Sequence, residues 1–181
     1  MIPEEIITRL KAGNEKYLTA KANGGHDNAL LRRLTSEQGQ HPYAVVVTCS
    51  DSRVIPEDIF MCGIGELFTI RVAGNVMGRH QLGSIEYAAG HLGCRLVLIL
   101  GHTGCGAIHA TISRATGGFV QTITEEIRRA IGEEQDENAA TYKNVLRSMR
   151  IVKSAFEGKA GFEEVAVLGG VYDIESKRLI T

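Results

Sequence analysis

Three consecutive valines, Val45-Val46-Val47, followed at once by Thr-Cys-Ser-Asp-Ser-Arg, constrain this chain more than any other stretch. A β-branched run without polar alternation suits a strand covered on both faces, and such strands belong to parallel sheets lying between helices. A second apolar run, Leu96 to Gly101, ends in His102-Thr103-Gly104-Cys105. In open parallel sheets ligands gather beyond the carboxyl ends of the strands. That is where both runs give way to Cys49, Asp51, Arg53, His102 and Cys105. If the two strands are neighbours, two thiols and an imidazole meet, with a carboxylate beside them.

The remaining segments fit the same plan. Pro3-Glu4-Glu5, then Ile6, Ile7, Leu10, Tyr17 and Leu18, predict an amphipathic helix with acidic residues in its first turn. Asn23-Gly24-Gly25 breaks it, and Asn28 to Leu34 is a short further helix. Periodicity leaves open whether this arm covers its own sheet or a partner's. Pro56 opens a helix that Gly63 and Gly65 end, with Pro suited to the first helical turn. Leu67 to Val72 is a second strand, 79–92 a helix, and Arg95 to Leu100 the third strand. Helical signals follow at 104–115, 120–131 and 137–157, the last two polar. Glu133 to Asn138 is a solvated turn, and Glu164 to Leu168 is a fourth strand. Val171 to Thr181 is an edge extension or hairpin, turning at Ser176-Lys177. The alternation gives an α/β fold: a mainly parallel four-stranded sheet flanked by helices, a C-terminal edge strand and an N-terminal helical arm. Residues 1–181 are read as one domain, with 1–35 forming the arm.

The 181 residues are 44% hydrophobic and 23% charged, enough apolar content for a core. A formal net charge of −1 gives no support to a nucleic-acid partner. No run approaches the roughly 20 apolar residues that span a bilayer. Met-Ile-Pro-Glu-Glu lacks the positive-then-apolar order of a signal peptide. Together with thiols wanted in reduced form, this predicts a cytoplasmic protein without a membrane partner.

Two sulfurs and one ring nitrogen are a donor set that zinc takes readily, and a catalytic site leaves its fourth position exchangeable. Ligand softness favours zinc, with iron and cobalt as the other ions such a site accepts. Glycines at 101, 104 and 106 let the backbone turn sharply between ligands, and Cys105 at a helix start sits among N–H groups that favour a thiolate. Arg53, two residues from Asp51, is placed for a bidentate pair that holds the carboxylate ionised and away from the metal. Were that pair to break, Asp51 would be free to become a fourth ligand and shut the site. Cys62 and Cys94 are read as small core residues, and His26, His41, His80 and His91 as surface or capping residues. His109, four residues after Cys105, is read as structural, with proton transfer as the sharper alternative.

The order Cys49-Ser-Asp51-Ser-Arg53 followed by His102-x-x-Cys105 resembles the β-class carbonic anhydrases. Leu10-Lys-Ala-Gly13-Asn14-Glu-Lys-Tyr17 is similar to that family's first-helix signature. Phe68-Thr-Ile-Arg71-Val-Ala-Gly74-Asn75 is similar to its segment around the second strand, and Gly169-Gly170-Val-Tyr172-Asp173-Ile to its C-terminal strand. This chain departs from the pattern with valine at 72, where many members have asparagine, and alanine at 73, where a bulkier aliphatic residue is common. The resemblance implies hydration of carbon dioxide to bicarbonate by zinc-bound hydroxide, one zinc per subunit, and a homodimer or higher homo-oligomer with its site at the subunit interface. Gln40, nine residues before Cys49, with Phe68, Tyr87 and no tryptophan, resembles the plant-type subgroup. In that subgroup Gln40 would hydrogen-bond substrate and Phe68 and Tyr87 would form the apolar wall, and Gly106 would line the pocket. These residues are expected to border a zinc carried by the neighbouring chain, and the arm at 4–20 to pack on that neighbour. The alternative substrates are carbonyl sulfide and carbon disulfide. The alternative class is a structural zinc protein, against which the Asp51–Arg53 pair and Gln40 argue.

Overall fold

Strand β1 (Ala44–Thr48) is buried at every position because it lies inside the sheet, between β2 (Leu67–Arg71) and β3 (Leu96–His102). A computed structural model describes residues 1–19, 29–115 and 117–180. Its five strands run in the order β2-β1-β3-β4-β5, with β4 spanning Ala166–Tyr172 and β5 Leu179–Ile180. The first four are parallel and β5 returns antiparallel along Val171 and Tyr172. The chain passes from β1 to β2 on one side and then crosses back over β1 to β3 on the other, so the crevice between the carboxyl ends of β1 and β3 is a topological switch point.

Helices cover both faces. Ile6 and Leu10 of α1 (Pro3–Thr19), with Ile59 of the one-turn α3 (Pro56–Ile59), pack on Val46, Leu96, Leu98 and Leu100. On the other face α4 (Arg79–His91) and α7 (Glu137–Phe156) bring Ile85, Ala88, Val145 and Val152 onto Val45, Val47, Val97 and Ile99. A third cluster sits over the crevice. There α5 (Gly106–Ile112) and α6 (Val120–Ile131) pack Ile108, Ile127 and Ile131 against Cys49 and Cys105. Among the described residues no helix is long and apolar enough to cross a membrane.

Several boundaries differ from expectation. The strand expected at Glu164–Leu168 begins at Ala166 and runs through Gly169-Gly170 to Tyr172. The helix opened by Pro56 lasts four residues and is followed by Met61 at φ 48°. Glu137 and Asn138, given both to an acidic turn and to the helix expected over 137–157, belong to that helix, α7, whose first turn is capped by the Asp136 side chain accepting from the Ala139 N–H. The Asn23-Gly24-Gly25 break and His26 lie outside the described residues.

In α1, Ile6 and Leu10 pack on the sheet of their own chain, and Asn14 donates to the carbonyls of Ile59 and Lys177. Helix α2 (Ala29–Gln38) has no buried residue and remains the part of the arm with an open face. At Gly13 a Cβ would stand 1.9 Å from the carbonyl oxygen of Phe60. Gly13→Ala is therefore expected to lower stability by about 1–3 kcal/mol, because backbone cannot rotate out of the way. Were α1 free of its sheet, the same change would raise stability by roughly 0.5–1 kcal/mol. The sign of the shift in urea midpoint distinguishes the two.

Candidate metal centre

Cys49 follows the last residue of β1 and His102 ends β3, which the pairing of Thr48 with Leu100 sets beside it. Gly104, at φ 63°, turns the chain back so that the next residue, Cys105, stands at the N-cap position of α5. The result is one group of three buried side chains whose ligand atoms all lie within 4.8 Å of one another. The two sulfurs are 4.0 Å apart. A tetrahedral zinc with Zn–S bonds of about 2.3 Å spans about 3.8 Å between two sulfurs.

The imidazole carries the clearest sign of a missing partner. His102 Nδ1 lies 2.9 Å from the Thr103 carbonyl, which can only accept, so the proton is on Nδ1 and the lone pair on Nε2. His102 is fully buried, and Nε2 has no hydrogen-bond partner among the described residues. An orphaned buried acceptor beside two thiols fits a cation, and the donor set fits zinc.

The sulfurs are not equivalent. Cys49 is pushed down from the usual thiol range, first by the Cys105 thiol hydrogen-bonded to it, with further help from His102 and from the Gly74 N–H, 3.3 Å away. Cys105 is pushed up by the same contact and by burial, although the N–H groups of Ile108 and Ala107 at the start of α5 pull the other way.

Beside the sulfurs, Asp51 and Arg53 form the expected two-pronged pair. Arg53 Nε donates to Oδ1 at 2.9 Å and Nη2 to Oδ2 at 2.7 Å, and the Arg53 backbone N–H also donates to Oδ1. The guanidinium holds the carboxyl well below the usual carboxylate range. Nη2 further reaches the Gly104 carbonyl at 3.2 Å, tying the pair to the second ligand loop. Asp51 Oδ2 stands 4.0 Å from His102 Nε2, so the carboxylate borders the cluster while facing Arg53. Asp51 stands outside the group of three whose donor atoms converge.

Sequence reasoning did not single out Arg71 for the site. It ends β2 opposite Thr48, donates from Nε to the Cys49 carbonyl at 3.2 Å and from Nη2 to the Asp51 carbonyl at 2.6 Å. A charged residue closing an apolar strand was the available signal.

The wall residues lie elsewhere in the chain. Gly106 opens α5 beside Cys105. Gln40 is exposed ahead of β1, whereas Cys49 follows its far end, a separation of about 16 Å at roughly 3.3 Å per residue. Phe68 pairs in register with Val45, at the same remote end, and its ring lies 6.1 Å from that of half-exposed Tyr87. A single chain therefore does not unite Gln40, Phe68 and Tyr87 with its own sulfurs. Cys62 and Cys94 are buried, meeting Tyr43 and the Pro42 carbonyl respectively. His41, His80 and His91 are exposed. His109 points to Glu137, 2.8 Å away, and is mostly exposed.

Residues 44–179 match a family model described as carbonic anhydrase. A carbonic anhydrase of Mycolicibacterium smegmatis is 33% identical over 183 residues, covering 94% of this chain and 88% of the relative. Among solved structures, the β-carbonic anhydrase CafA of the fungal pathogen Aspergillus fumigatus has a TM-score of 0.69 at 24% identity, covering 83% of this chain and 84% of its own. One of two tetrameric β-carbonic anhydrases from the filamentous ascomycete Sordaria macrospora has a TM-score of 0.68 at 21% identity, with 97% and 95% covered. At those identities the two structures speak for the fold, which agrees strand for helix with the α/β plan read above.

Proposed function

Because the chain belongs to the β-class carbonic anhydrase family and is thus an enzyme, we propose that it catalyses the reversible hydration of carbon dioxide at one zinc ion held by Cys49, His102 and Cys105. The observation that carries this is the orphaned His102 Nε2 set beside two sulfurs and an ionised Asp51. Zinc in such a site acidifies water and acts as a Lewis acid. The protein's own groups do the rest. Arg53 keeps Asp51 charged and turned to one side. Asp51, with a lone pair left over, would accept a hydrogen bond from the reacting water and so fix the direction in which the water's own lone pair faces carbon dioxide. Arg71 holds the Cys49 and Asp51 carbonyls, and so the turn that carries both side chains. Ile108, Ile127 and Ile131 keep bulk water from the sulfurs. Release of Asp51 from Arg53 would supply a closed state with Asp51 as fourth ligand.

The pocket is read as plant-type, with Gln40, Phe68 and Tyr87 of a second copy completing it. Their distance from the sulfurs of their own chain supports that reading, as does the open face of α2. The working unit is then a homodimer or a larger homo-oligomer, and the reduced thiols suit the cytoplasm. Carbonyl sulfide and carbon disulfide are not favoured, since the matching family and the relatives compared are carbonic anhydrases.

Stopped-flow hydration of carbon dioxide by zinc-loaded protein tests the proposal; zinc-loaded protein no faster than buffer would overturn it. Assembly adds a separate expectation. Gln40→Ala should lower kcat/KM by about tenfold, the loss of one charge-orienting hydrogen bond of roughly 1–1.5 kcal/mol. Mixing it with protein inactivated at Cys105 should restore one intact site in each mixed dimer, because both defects then fall in the other site. Activity that merely averages on mixing would count against a shared site.

A further inference from the structure

We propose that Asn144 and Ser148 of α7 are positioning residues for the metal centre, holding the turn that delivers the Gly74 N–H to Cys49 Sγ. The inference rests on the zinc reading above. The turn is the short 3-10 segment Ala73–Asn75, in which Gly74 has φ 64° and Asn75 φ 42°. Glycine enters the left-handed region freely, whereas Asn75 carries a cost there that its surroundings must meet. Side-chain bulk is excluded as well: a Cβ on Gly74 would meet Ile127 Cδ1 at 2.7 Å and Ala107 Cβ at 3.1 Å.

What fixes the turn comes from seventy residues further along the chain. Asn144 Nδ2 donates to the Gly74 carbonyl at 2.7 Å, and Ser148 Oγ to the Asn75 carbonyl at 3.2 Å. The two are four residues apart on one face of α7 and nearly fully buried, 3% and 2% exposed. Their neighbours on that face, Thr141 and Val145, press on Gly101, where a Cβ would stand 2.7 Å from Val145 Cγ2. The same helix face thus braces the strand end before His102 and the turn beside Cys49. Gly74 is gripped from two directions, its carbonyl by Asn144 and its N–H by the Cys49 sulfur, so its φ and ψ have little freedom. A backbone N–H on a ligand sulfur withdraws charge from it and fixes its direction. Hydrogen bonds of this outer kind tune both ligand basicity and metal affinity.

The test uses cobalt in place of zinc, because the sulfur-to-cobalt charge-transfer band in the near ultraviolet reports directly on the thiolates. Asn144→Leu keeps the bulk of the side chain and removes the donor; Ser148→Ala is the milder second variant. Val152→Ala is the control, a buried residue of the same helix that does not touch the turn. The expected result is a red-shifted band and about tenfold weaker zinc retention against a chelator in Asn144→Leu, with a smaller shift in Ser148→Ala. Val152→Ala should lose stability and keep the wild-type band. Unchanged bands in both turn variants, or an equal shift in Val152→Ala, would overturn the positioning role while leaving the zinc reading intact. Wild-type protein with no thiolate band at all would overturn the zinc reading and this inference with it.

Discussion

Cys105→Ala protein should lose most of its zinc and, with it, nearly all carbon dioxide hydration. The remaining pair, Cys49 and His102, offers two donors where a catalytic zinc site needs three from the protein. The loss should not be a folding defect. Cys105 is buried at the edge of the cluster with Ile108 and Ile127, and alanine removes one sulfur without leaving a large void. Metal content per chain after dialysis, read beside the far-ultraviolet circular dichroism of the same sample, checks both parts. A fully zinc-occupied variant would contradict the ligand assignment.

Arg53→Ala should be the second severe loss, about a hundredfold in kcat/KM, the scale on which small misplacement of a reacting group acts. Arg53 makes both prongs to Asp51 and also reaches Gly104. Without the guanidinium only the backbone N–H of residue 53 still holds the carboxylate, which is then free to swing toward the zinc proposed above. Arg53→Lys should recover little, because an ammonium cannot supply the planar fork that the two carboxylate oxygens receive. The pair is partly open to solvent, so the effect on stability should be small beside the effect on rate. If the lysine variant were as active as the wild type, charge alone would suffice and the fork would be irrelevant.

The strands and ligands were legible for one shared reason. A parallel strand buried on both faces must be apolar throughout, so it announces its own end, and the chemistry at 49–53 and 102–105 begins where the apolar runs stop. What escaped depends on contacts between distant segments. Gly169 and Gly170 look like a break, yet they lie within β4; a Cβ at Gly169 would meet Met149 Sδ at 2.4 Å, so α7 requires a glycine in mid-strand. Helix α7 reads as polar, but Asn144 and Ser148 face inward because the Ala73–Asn75 turn presents bare carbonyls to them. The destination of α1 could not be read from periodicity, since an apolar stripe fits any complementary face. Gln40, Phe68 and Tyr87 could be named but not placed, because their distance from Cys49 emerges only once the strands are laid side by side.

The position of the ligands on two adjacent strands also has a kinetic side. Cys49 and Cys105 are 56 residues apart in the chain, and closing a loop of that length in an unfolded polypeptide costs roughly 3–4 kcal/mol of entropy. Pairing of β1 with β3 would close it without an ion, since the strands are held by their own register from Val45 opposite Val97 to Thr48 opposite Leu100. A metal therefore encounters an assembled set of donors, and capture should be a fast second-order event that leaves the folding rate largely unchanged. Its escape need not await global unfolding: fluctuations that loosen the short turn beside Cys49 would open a route while the central strands stay paired.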